Sequence, residues 1–531
     1  MMNLQTQGLG LALFLALAAG FTASGAEPVA PRDVITPEMC AALASTALPD
    51  TAIESAVAVN GPSFTPPGGT ALDNLPAFCR LIASAKPSIR FEVWLPLNGW
   101  NGKFQGVGNG GTAGIISYAA MATALRRGYA TASTDTGHVS RDSADSSWAL
   151  GRPDLVADFG HRGLHVMTER AKTLTTALYD APPRWSYYVG CSKGGQQGLM
   201  EAQRYPGDYD GLVAGAPANN SVRSYLAGHL WAALATDKDP ESYIPAAKVP
   251  LLARAVTAAC DALDGIADGV LADPRQCHYD PAALSCGAND DPATCLTPPQ
   301  VAAVKKIWQG PKDAAGKVIY GPYVPGAESG AGAWERYVTG EGRQKGRHFQ
   351  LADGFLKYTI FENPAYDFRQ FDYARDLPVA LAKVSASLDA ADPNLQPLEQ
   401  RGGKLIVYHG WNDPSIPALN TISYYESVLA AMGRGPDRDA ALQRTQAFFR
   451  LFLVPGMQHC SGGPGTDRFD MLTALERWVE RGEAPSQVVA TRVRDGRVDR
   501  SRPLCPYPQV ATYRGSGSTD DAANFSCAVP R

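Results

Sequence analysis

The sequence lacks an excess of charge of either sign. Its 48 Lys and Arg residues against 52 Asp and Glu residues leave a net charge of −4 over 531 residues. This near balance argues against a nucleic-acid partner, which would favour a basic surface. Hydrophobic residues make up 45% of the chain, so a disordered protein is also excluded, and the length allows one large domain or two.

A hydrophobic run long enough to cross a bilayer is missing from the start of the chain. The apolar run at residues 9–21 has about 13 residues, whereas a membrane helix needs about 20. The run ends in small residues, and Ser24, Gly25 and Ala26 fit a signal-peptidase site. Residues 1–8 contain no Lys or Arg, so only the α-amino group supplies the positive start of a signal peptide. We predict a signal peptide over residues 1–26, a secreted or periplasmic protein and no membrane contact in the mature form, with a retained anchor as the alternative.

Cysteines are few, but their number, ten, is even. In an exported chain this predicts disulfides. Spacing alone does not determine their connectivity, and the simplest hypothesis joins neighbours in the sequence: Cys40 with Cys79, Cys260 with Cys277, Cys286 with Cys295, and Cys505 with Cys527. Cys191 and Cys460 are then left over.

The segment 185–205 predicts a strand, a sharp turn and a helix. A β-prone run from Trp185 meets Gly190-Cys191-Ser192-Lys193-Gly194, and a helical pattern follows. A serine on such a turn is held in a strained conformation, and the flanking glycines allow close packing that leaves its hydroxyl exposed. Ser192 is therefore the candidate nucleophile, although an ordinary glycine-rich turn is the alternative.

Strands and helices alternate on both sides of this turn, as in a parallel sheet. After Pro217 the alternation stops for about 180 residues, until a strand pattern resumes at residues 403–410. The interruption is large enough for a subdomain that covers the serine. We predict an α/β-hydrolase fold whose catalytic domain comprises residues 27–217 and 401–531, with a large inserted lid domain at residues 218–400.

Two later loops supply the partners that a serine nucleophile needs. The order along the chain in α/β-hydrolases is Ser, then Asp or Glu, then His, each after a strand. Asp413 follows the strand 405–408, and His459 follows the strand 449–454 through a glycine-containing loop. Of the eight histidines only His459 has this placement; His409 beside Asp413 is interpreted as structural. If Ser192 and His459 meet, the adjacent Cys191 and Cys460 come close enough for a disulfide.

A glycine-rich loop at residues 108–111 follows an early strand and predicts an oxyanion-hole donor. Gly110 is the first choice and Gly111 the second, with a turn that takes no part in catalysis as the alternative.

The insertion contains an acidic loop at residues 260–270. Three carboxylates separated by glycines can surround one hard cation, with two backbone carbonyls completing the oxygen shell. Calcium is the expected ion, bound by Asp261, Asp264, Ile266, Asp268 and Val270. The loop is not an EF-hand, because the acidic spacing differs and a Glu at the twelfth position is missing. On these residues alone an acidic, solvated turn remains the alternative.

The pattern Cys191-Ser192, Asp413 and His459-Cys460 resembles the tannase and feruloyl esterase family of α/β-hydrolases, which includes mono(2-hydroxyethyl) terephthalate hydrolase. The resemblance covers roughly residues 40–527. In that family the two cysteines form a disulfide beneath the catalytic triad, and a lid domain carries a calcium loop. The five oxygen-donating positions of the acidic loop match it, which favours calcium over a solvated turn.

The resemblance implies a serine carboxylic ester hydrolase that cleaves small esters of hydroxycinnamic or benzoic acids through an acyl-enzyme on Ser192. Asp413 would orient His459, and the amides of Lys193 and Gly110 would stabilise the oxyanion. Lys193 departs from expectation, since a small polar residue would be less surprising there. A terephthalate monoester hydrolase of the same family is the alternative.

The specificity residues are less defined. One or two of the aromatic residues in the lid could stack on a phenolic ring, while most are expected to belong to its core; the candidates include Trp308, Trp334, Phe355, Tyr358, Phe361, Phe368, Phe371 and Tyr373. A substrate with a free carboxylate would require an Arg, for which Arg369 and Arg375 are candidates. A lipase would need a more apolar lid, and a non-catalytic binding protein of this fold would usually have lost a triad residue. The oligomeric state stays open.

Overall fold

The computed structural model describes residues 32, 34–328, 330, 332–433 and 435–530. The predicted signal peptide at residues 1–26 lies outside this range. Within it, a helix with the length and apolar character needed to span a bilayer is not found.

The described residues form fifteen strands: β1 Thr51–Val59, β2 Ser63–Phe64, β3 Leu72–Asp73, β4 Phe78–Ala85, β5 Ile89–Pro96, β6 Lys103–Val107, β7 Ala130–Thr134, β8 Trp185–Cys191, β9 Gly211–Gly215, β10 Lys404–Gly410, β11 Phe449–Val454, β12 Val488–Arg494, β13 Arg497–Leu504, β14 Val510–Tyr513 and β15 Phe525–Ala528. The α-helices are α1 Pro37–Ala42, α2 Tyr118–Arg126, α3 Pro153–Ala157, α4 Gly163–Tyr179, α5 Lys193–Arg204, α6 Ser221–Arg223, α7 Leu230–Thr236, α8 Val249–Cys260, α9 Pro298–Gln309, α10 Arg347–Gly354, α11 Tyr373–Leu388, α12 Gln396–Gln400, α13 Ala418–Met432, α14 Arg438–Gln446 and α15 Met471–Arg481.

A nine-stranded sheet forms the centre of the protein, in the order β1-β4-β5-β7-β6-β8-β9-β10-β11. The six strands from β7 to β11 in this order run parallel, while β5, β4 and β1 pair antiparallel at one edge. Helices α4, α5 and α13 pack on one face of the sheet and helices α2 and α15 on the other. Because both faces are covered, most residues of the parallel strands are buried, including the polar Thr131, Ser133 and Thr134 of β7. This is the predicted α/β-hydrolase fold.

The insertion lies between β9, which ends at Gly215, and β10, which begins at Lys404. Its described residues add helices α6 to α12 but no strand of the central sheet. One hydrophobic cluster lies within the insertion, between helices α7, α8 and α9. A second cluster joins Phe159 of the catalytic domain to Leu226, Phe355 and Leu388 of the insertion. The shared cluster holds the insertion over the carboxyl ends of the parallel strands.

Five disulfides join the ten cysteines, and the four pairs proposed from sequence proximity are all present. The remaining pair, Cys191 and Cys460, is also bonded, with a Cα–Cα distance of 6.0 Å across a sequence separation of 269. This bridge connects the end of β8 to the loop after β11.

Candidate active site

Ser192 occupies the sharp turn between β8 and α5, with φ 66° and ψ −120°. This is a strained conformation for a residue with a side chain. It is held by hydrogen bonds from the Ser192 amide to Gly215 O at 2.9 Å and from the Gln196 amide to Ser192 O at 3.0 Å. A Cβ on Gly195 would lie 2.2 Å from Gly215 O, so only glycine lets the helix approach β9 this closely. The turn therefore presents the serine hydroxyl at the carboxyl end of the parallel strands.

The three predicted triad residues meet at this carboxyl end of the sheet. His459 Nε2 lies 2.8 Å from Ser192 Oγ, and His459 Nδ1 lies 2.7 Å from Asp413 Oδ2. They come together because β8, β10 and β11 are parallel, so the loops after their carboxyl ends lie side by side. The arrangement has the geometry of a nucleophile, a base and a group that orients the base.

Asp413 is buried, and both oxygens of its carboxylate have hydrogen-bond partners. Its Oδ1 accepts hydrogen bonds from the amides of Ser415 at 2.8 Å and Ile416 at 2.9 Å. His409 Nε2 lies 3.2 Å from Asp413 Oδ2, which gives His409 the structural role expected for it. Burial by itself raises the pKa of Asp413, but the charge of His459 and the bonds from both histidines hold it well below its usual range. The carboxylate is therefore ionised whenever His459 accepts a proton.

The disulfide between Cys191 and Cys460 lies directly beside the reacting pair. Each cysteine neighbours one of the two hydrogen-bonded residues in the sequence, Ser192 and His459. Cys460 has a positive φ of 66°, as Ser192 does, so both loops are sharply turned where they meet the bridge. The bridge limits how far the serine and the imidazole can separate.

The two predicted oxyanion donors border the same cavity. Lys193 is the first residue of α5, so its amide has no partner within the helix, and Gly110 lies on the loop after β6. A Cβ on Gly110 would contact nothing within 4 Å, which shows that this backbone faces open space. Gly111, the second choice, also lines the cavity, and its Cβ would lie 2.3 Å from Ser143 O. The assignment of the two amides stays a prediction.

The side chain of Lys193 is turned inward and is only 5% exposed. Its Nζ donates a 2.7 Å hydrogen bond to Gln196 Oε1 and lies 3.8 Å from the centre of the Phe159 ring. Burial lowers the pKa of Lys193 to about 7. Lys193, which stands where a small polar residue was expected, therefore places a titratable amine in the wall of the cavity.

The cavity in front of Ser192 has a volume of about 400 Å³ and is lined by residues of the insertion and of the chain on both sides of it. The insertion contributes Tyr225, His229 and Tyr337 to its wall, and the catalytic domain contributes Phe159. The Tyr337 ring packs edge-on to His459 with centres 6.2 Å apart, and Tyr225 stacks on Phe355 with centres 4.3 Å apart. An acyl group with one aromatic ring fits such a space.

The candidate specificity residues of the insertion lie away from this cavity. None of the eight lid aromatics borders this cavity in the described part of the chain; Phe355 only supports Tyr225 from behind. Arg369 and Arg375 also lie outside it, and each pairs with a carboxylate one or two positions away in the sequence, Asp367 and Asp376 respectively. Arg141, Arg336 and Arg347 line the cavity instead, and no sequence pattern marked them.

The acidic loop after α8 begins with a 3₁₀ turn, Asp261–Asp264. Asp261 accepts hydrogen bonds from the amides of Gly269 and Val270, which closes the loop on itself. Asp264, Ile266, Asp268 and Val270 line one cavity of about 60 Å³ together with Arg500 and Arg502.

This donor set fits calcium in its chemistry, since carboxylate and backbone carbonyl oxygens are the ligands that calcium prefers. Within the described residues the three carboxylates do not all come within 4.8 Å of one another. Asp268 pairs with Arg502 at 2.6 Å and Arg500 at 3.3 Å.

Comparison with known proteins gives a consistent result. A family model described as "Tannase and feruloyl esterase" matches residues 76–528. An uncharacterized esterase of Xanthomonas campestris is 40% identical, covering 92% of this chain and 91% of its own. The mono(2-hydroxyethyl) terephthalate hydrolase of Piscinibacter sakaiensis is 37% identical, covering 83% and 82%. The crystal structure of feruloyl esterase B from Aspergillus oryzae superposes with a TM-score of 0.83 at 30% identity, covering 93% of this chain and 100% of that chain.

Proposed function

Because this chain belongs to the tannase and feruloyl esterase family of carboxylic ester hydrolases, we propose that it is a secreted serine esterase that cleaves esters of aromatic acids. One observation carries the serine mechanism: the Ser192 hydroxyl, the His459 imidazole and the buried Asp413 carboxylate form an unbroken hydrogen-bonded chain at the mouth of a cavity. An aromatic preference is supported by the rings of Phe159, Tyr225 and Tyr337 in the cavity wall. Export is supported by the five disulfides.

Acylation begins when Ser192 Oγ attacks the ester carbonyl carbon and its proton passes to His459 Nε2. The carbonyl oxygen becomes an oxyanion, which accepts hydrogen bonds from the amides of Lys193 and Gly110. The positive charge on His459 is stabilised by Asp413, which is ionised and adjacent. His459 then gives the proton to the leaving alkoxide, and the alcohol departs from an acyl-enzyme.

Deacylation repeats these steps with water. His459 takes a proton from a water molecule that attacks the acyl carbon, and the same two amides stabilise the second oxyanion. The bond to Ser192 Oγ breaks, His459 returns the proton to the serine, and the aromatic acid leaves. All proton transfers use one imidazole, so its position relative to Ser192 controls both halves of the reaction.

The test combines hydrolysis with active-site labelling. The wild-type protein is expected to hydrolyse methyl ferulate faster than triolein and to bind a fluorophosphonate probe covalently. Ser192→Ala is expected to lose both properties while its circular dichroism spectrum is unchanged. A folded wild-type protein that neither reacts with the probe nor hydrolyses any aryl ester would be a binding protein, and the proposal would be wrong.

We also propose that the acidic loop binds calcium through the carboxylates of Asp261, Asp264 and Asp268 and the carbonyls of Ile266 and Val270. The ion would cross-link the residues of this loop and stabilise it, and it would take no part in ester cleavage. Chelator treatment is expected to lower the melting temperature of the wild type, with recovery on adding Ca²⁺. Asp264→Ala should show no such recovery, whereas Asp239→Ala, an acidic residue outside the loop, should. Equal melting temperatures with and without chelator in the wild type would remove the site.

A further inference from the structure

Three side chains of the kinds that bind metal ions converge in the catalytic domain, outside the triad and outside the acidic loop. His165 lies on α4, Glu201 on α5 and Asp208 on the turn between α5 and β9. Each offers one ligand atom, a ring nitrogen or a carboxylate oxygen, and these three atoms lie within 4.8 Å of one another. Two ligands bound to one ion at about 2.0–2.2 Å lie at most about 4.4 Å apart, so the three atoms are close to the spacing of a metal site.

Glu201 is the unusual residue of this cluster. It is only 1% exposed, and neither of its carboxylate oxygens has a hydrogen-bond partner among the described residues. The ammonium group of Lys172 contacts the backbone oxygen of Asp208 and forms no ion pair with Glu201. A buried carboxylate is normally paired with a cation or bound to a metal, because burial removes the water that solvates its charge. The unpartnered oxygens of Glu201 therefore favour a cation as their ligand.

The imidazole of His165 is held in place beside the two carboxylates. Its Nδ1 lies 2.6 Å from Asp208 Oδ2, and its ring stacks on Tyr205 with centres 3.8 Å apart. The Tyr205 hydroxyl is bonded in turn to His161 Nδ1 at 2.8 Å. The side chains of His165 and Asp208 are 24% and 14% exposed, so the cluster is accessible from solvent on the side away from Glu201. An ion and a water molecule can enter from that side.

The ligand types indicate which metal would bind. An imidazole nitrogen with two carboxylate oxygens is a donor set that zinc accepts, whereas calcium prefers oxygen ligands alone. Zinc is usually four-coordinate, so three protein ligands leave one position for water. The cluster therefore differs in its chemistry from the acidic loop at residues 260–270, which offers only oxygen atoms.

We propose that His165, Glu201 and Asp208 form a zinc site in which water supplies the fourth ligand. The ion joins α4 to the carboxyl-terminal half of α5, the helix that begins directly after Ser192. At 1.5 Å per residue, Glu201 lies about 12 Å along this helix from Lys193, so the ion takes no part in ester cleavage. Its role is to stabilise the helix that follows the nucleophile.

The experiment measures zinc binding to the mature protein after chelator treatment, with excess Ca²⁺ returned so that the acidic loop does not compete for zinc. Isothermal titration calorimetry and native mass spectrometry give the affinity and the number of ions per chain. The test variants are Glu201→Gln and His165→Gln. The controls are Asp264→Ala, in the acidic loop, and His278→Gln, which removes an exposed histidine outside the cluster.

The wild type and both controls are expected to bind one Zn²⁺ per chain, and their melting temperatures should rise with zinc concentration because zinc binds the folded state. Glu201→Gln and His165→Gln should each weaken zinc binding more than about a hundredfold, since even a residue that only supports a metal ligand is worth about 10- to 100-fold in affinity. Circular dichroism should show both variants folded, because glutamine resembles glutamate in shape and His165 is partly exposed.

Three results would overturn the proposal. A wild-type protein that binds no zinc would mean that Glu201 is buried as a neutral acid. Equal zinc binding in the wild type, Glu201→Gln and His165→Gln would show an adventitious ion at another place on the protein. Zinc binding that is lost in Asp264→Ala and kept in Glu201→Gln would assign the ion to the acidic loop. If Glu201→Gln does not fold, the comparison of His165→Gln with His278→Gln decides the question.

Discussion

Removing the disulfide between Cys191 and Cys460 should damage catalysis far more than removing any other bridge. The perturbation is the double variant Cys191→Ala with Cys460→Ala. The bridge spans 269 residues, for which the chain-entropy relation gives about 5.6 kcal/mol of stability. The matched control, Cys40→Ala with Cys79→Ala, removes a bridge that spans 39 residues, worth about 3.9 kcal/mol by the same relation.

The catalytic effect has a different cause from the loss of stability. Without the bridge, no covalent bond ties the loop of Ser192 to the loop of His459, and the 2.8 Å hydrogen bond between these side chains loses its support. A displacement of about 1 Å in such a contact can cost about a hundredfold in rate. We expect kcat to fall about a hundredfold in Cys191→Ala with Cys460→Ala, with a smaller change in KM because every other residue that lines the cavity is retained. The control should keep its kcat.

The assay measures kcat and KM for methyl ferulate per folded molecule, at a temperature below the melting transition of each variant. Urea unfolding gives the stability change separately. If the Cys191 and Cys460 double variant is folded and its kcat is close to that of the wild type, the bridge does not position the reacting groups. If instead the control loses as much kcat, the loss reflects general destabilisation and the positioning argument is refuted.

Three further predictions concern single residues. Asp413→Asn should lower kcat by about 10⁴ at unchanged KM, since asparagine does not stabilise the imidazolium; a loss under tenfold in stopped-flow hydrolysis would contradict the triad. Burial lowers the pKa of Lys193 to about 7 from 10.5, so between these values the unfolded chain binds a proton that the folded chain does not. Stability should therefore rise with pH across that window, and Lys193→Met should flatten this rise in melting curves; an identical slope would show that Lys193 does not titrate on unfolding. Gly195→Ala should lower the free energy of unfolding, measured with urea, by roughly 1–3 kcal/mol, because its Cβ would meet Gly215 O. Gly207→Ala, with open space around its Cβ, should leave this free energy unchanged.

Much of the site could be predicted because its signals are local in the sequence. Each triad residue follows a strand whose apolar pattern is visible, and the glycines around Ser192 mark a sharp turn. The parallel sheet then brings these loops together at the carboxyl ends of its strands. Residues that follow successive strands in the sequence are therefore close to one another in space. The same proximity allowed a bridge between Cys191 and Cys460 to be inferred.

The cavity wall could not be predicted in this way. Arg369 and Arg375 were candidates because of their place in the insertion, but adjacent carboxylates bind both side chains outside the cavity. Arg336 and Tyr337 face the serine only because the insertion packs on the catalytic domain through the cluster around Phe159. Aromatic residues in the insertion serve its core as often as its surface, and composition does not distinguish the two.

The amino-acid sequence by itself determined the hydrolase framework and the order of the nucleophile, acid and base, and it offered the close cysteine pairs as a hypothesis that the structure confirmed. These features depend on short patterns, in which the turn, the strand and the residue that follows are neighbours in the chain. The tertiary structure alone decided which side chains enclose the substrate and how their charges are neutralised. Those properties depend on contacts between residues more than a hundred positions apart, such as Tyr337 and His459, and contacts of this kind leave no local pattern in a single sequence.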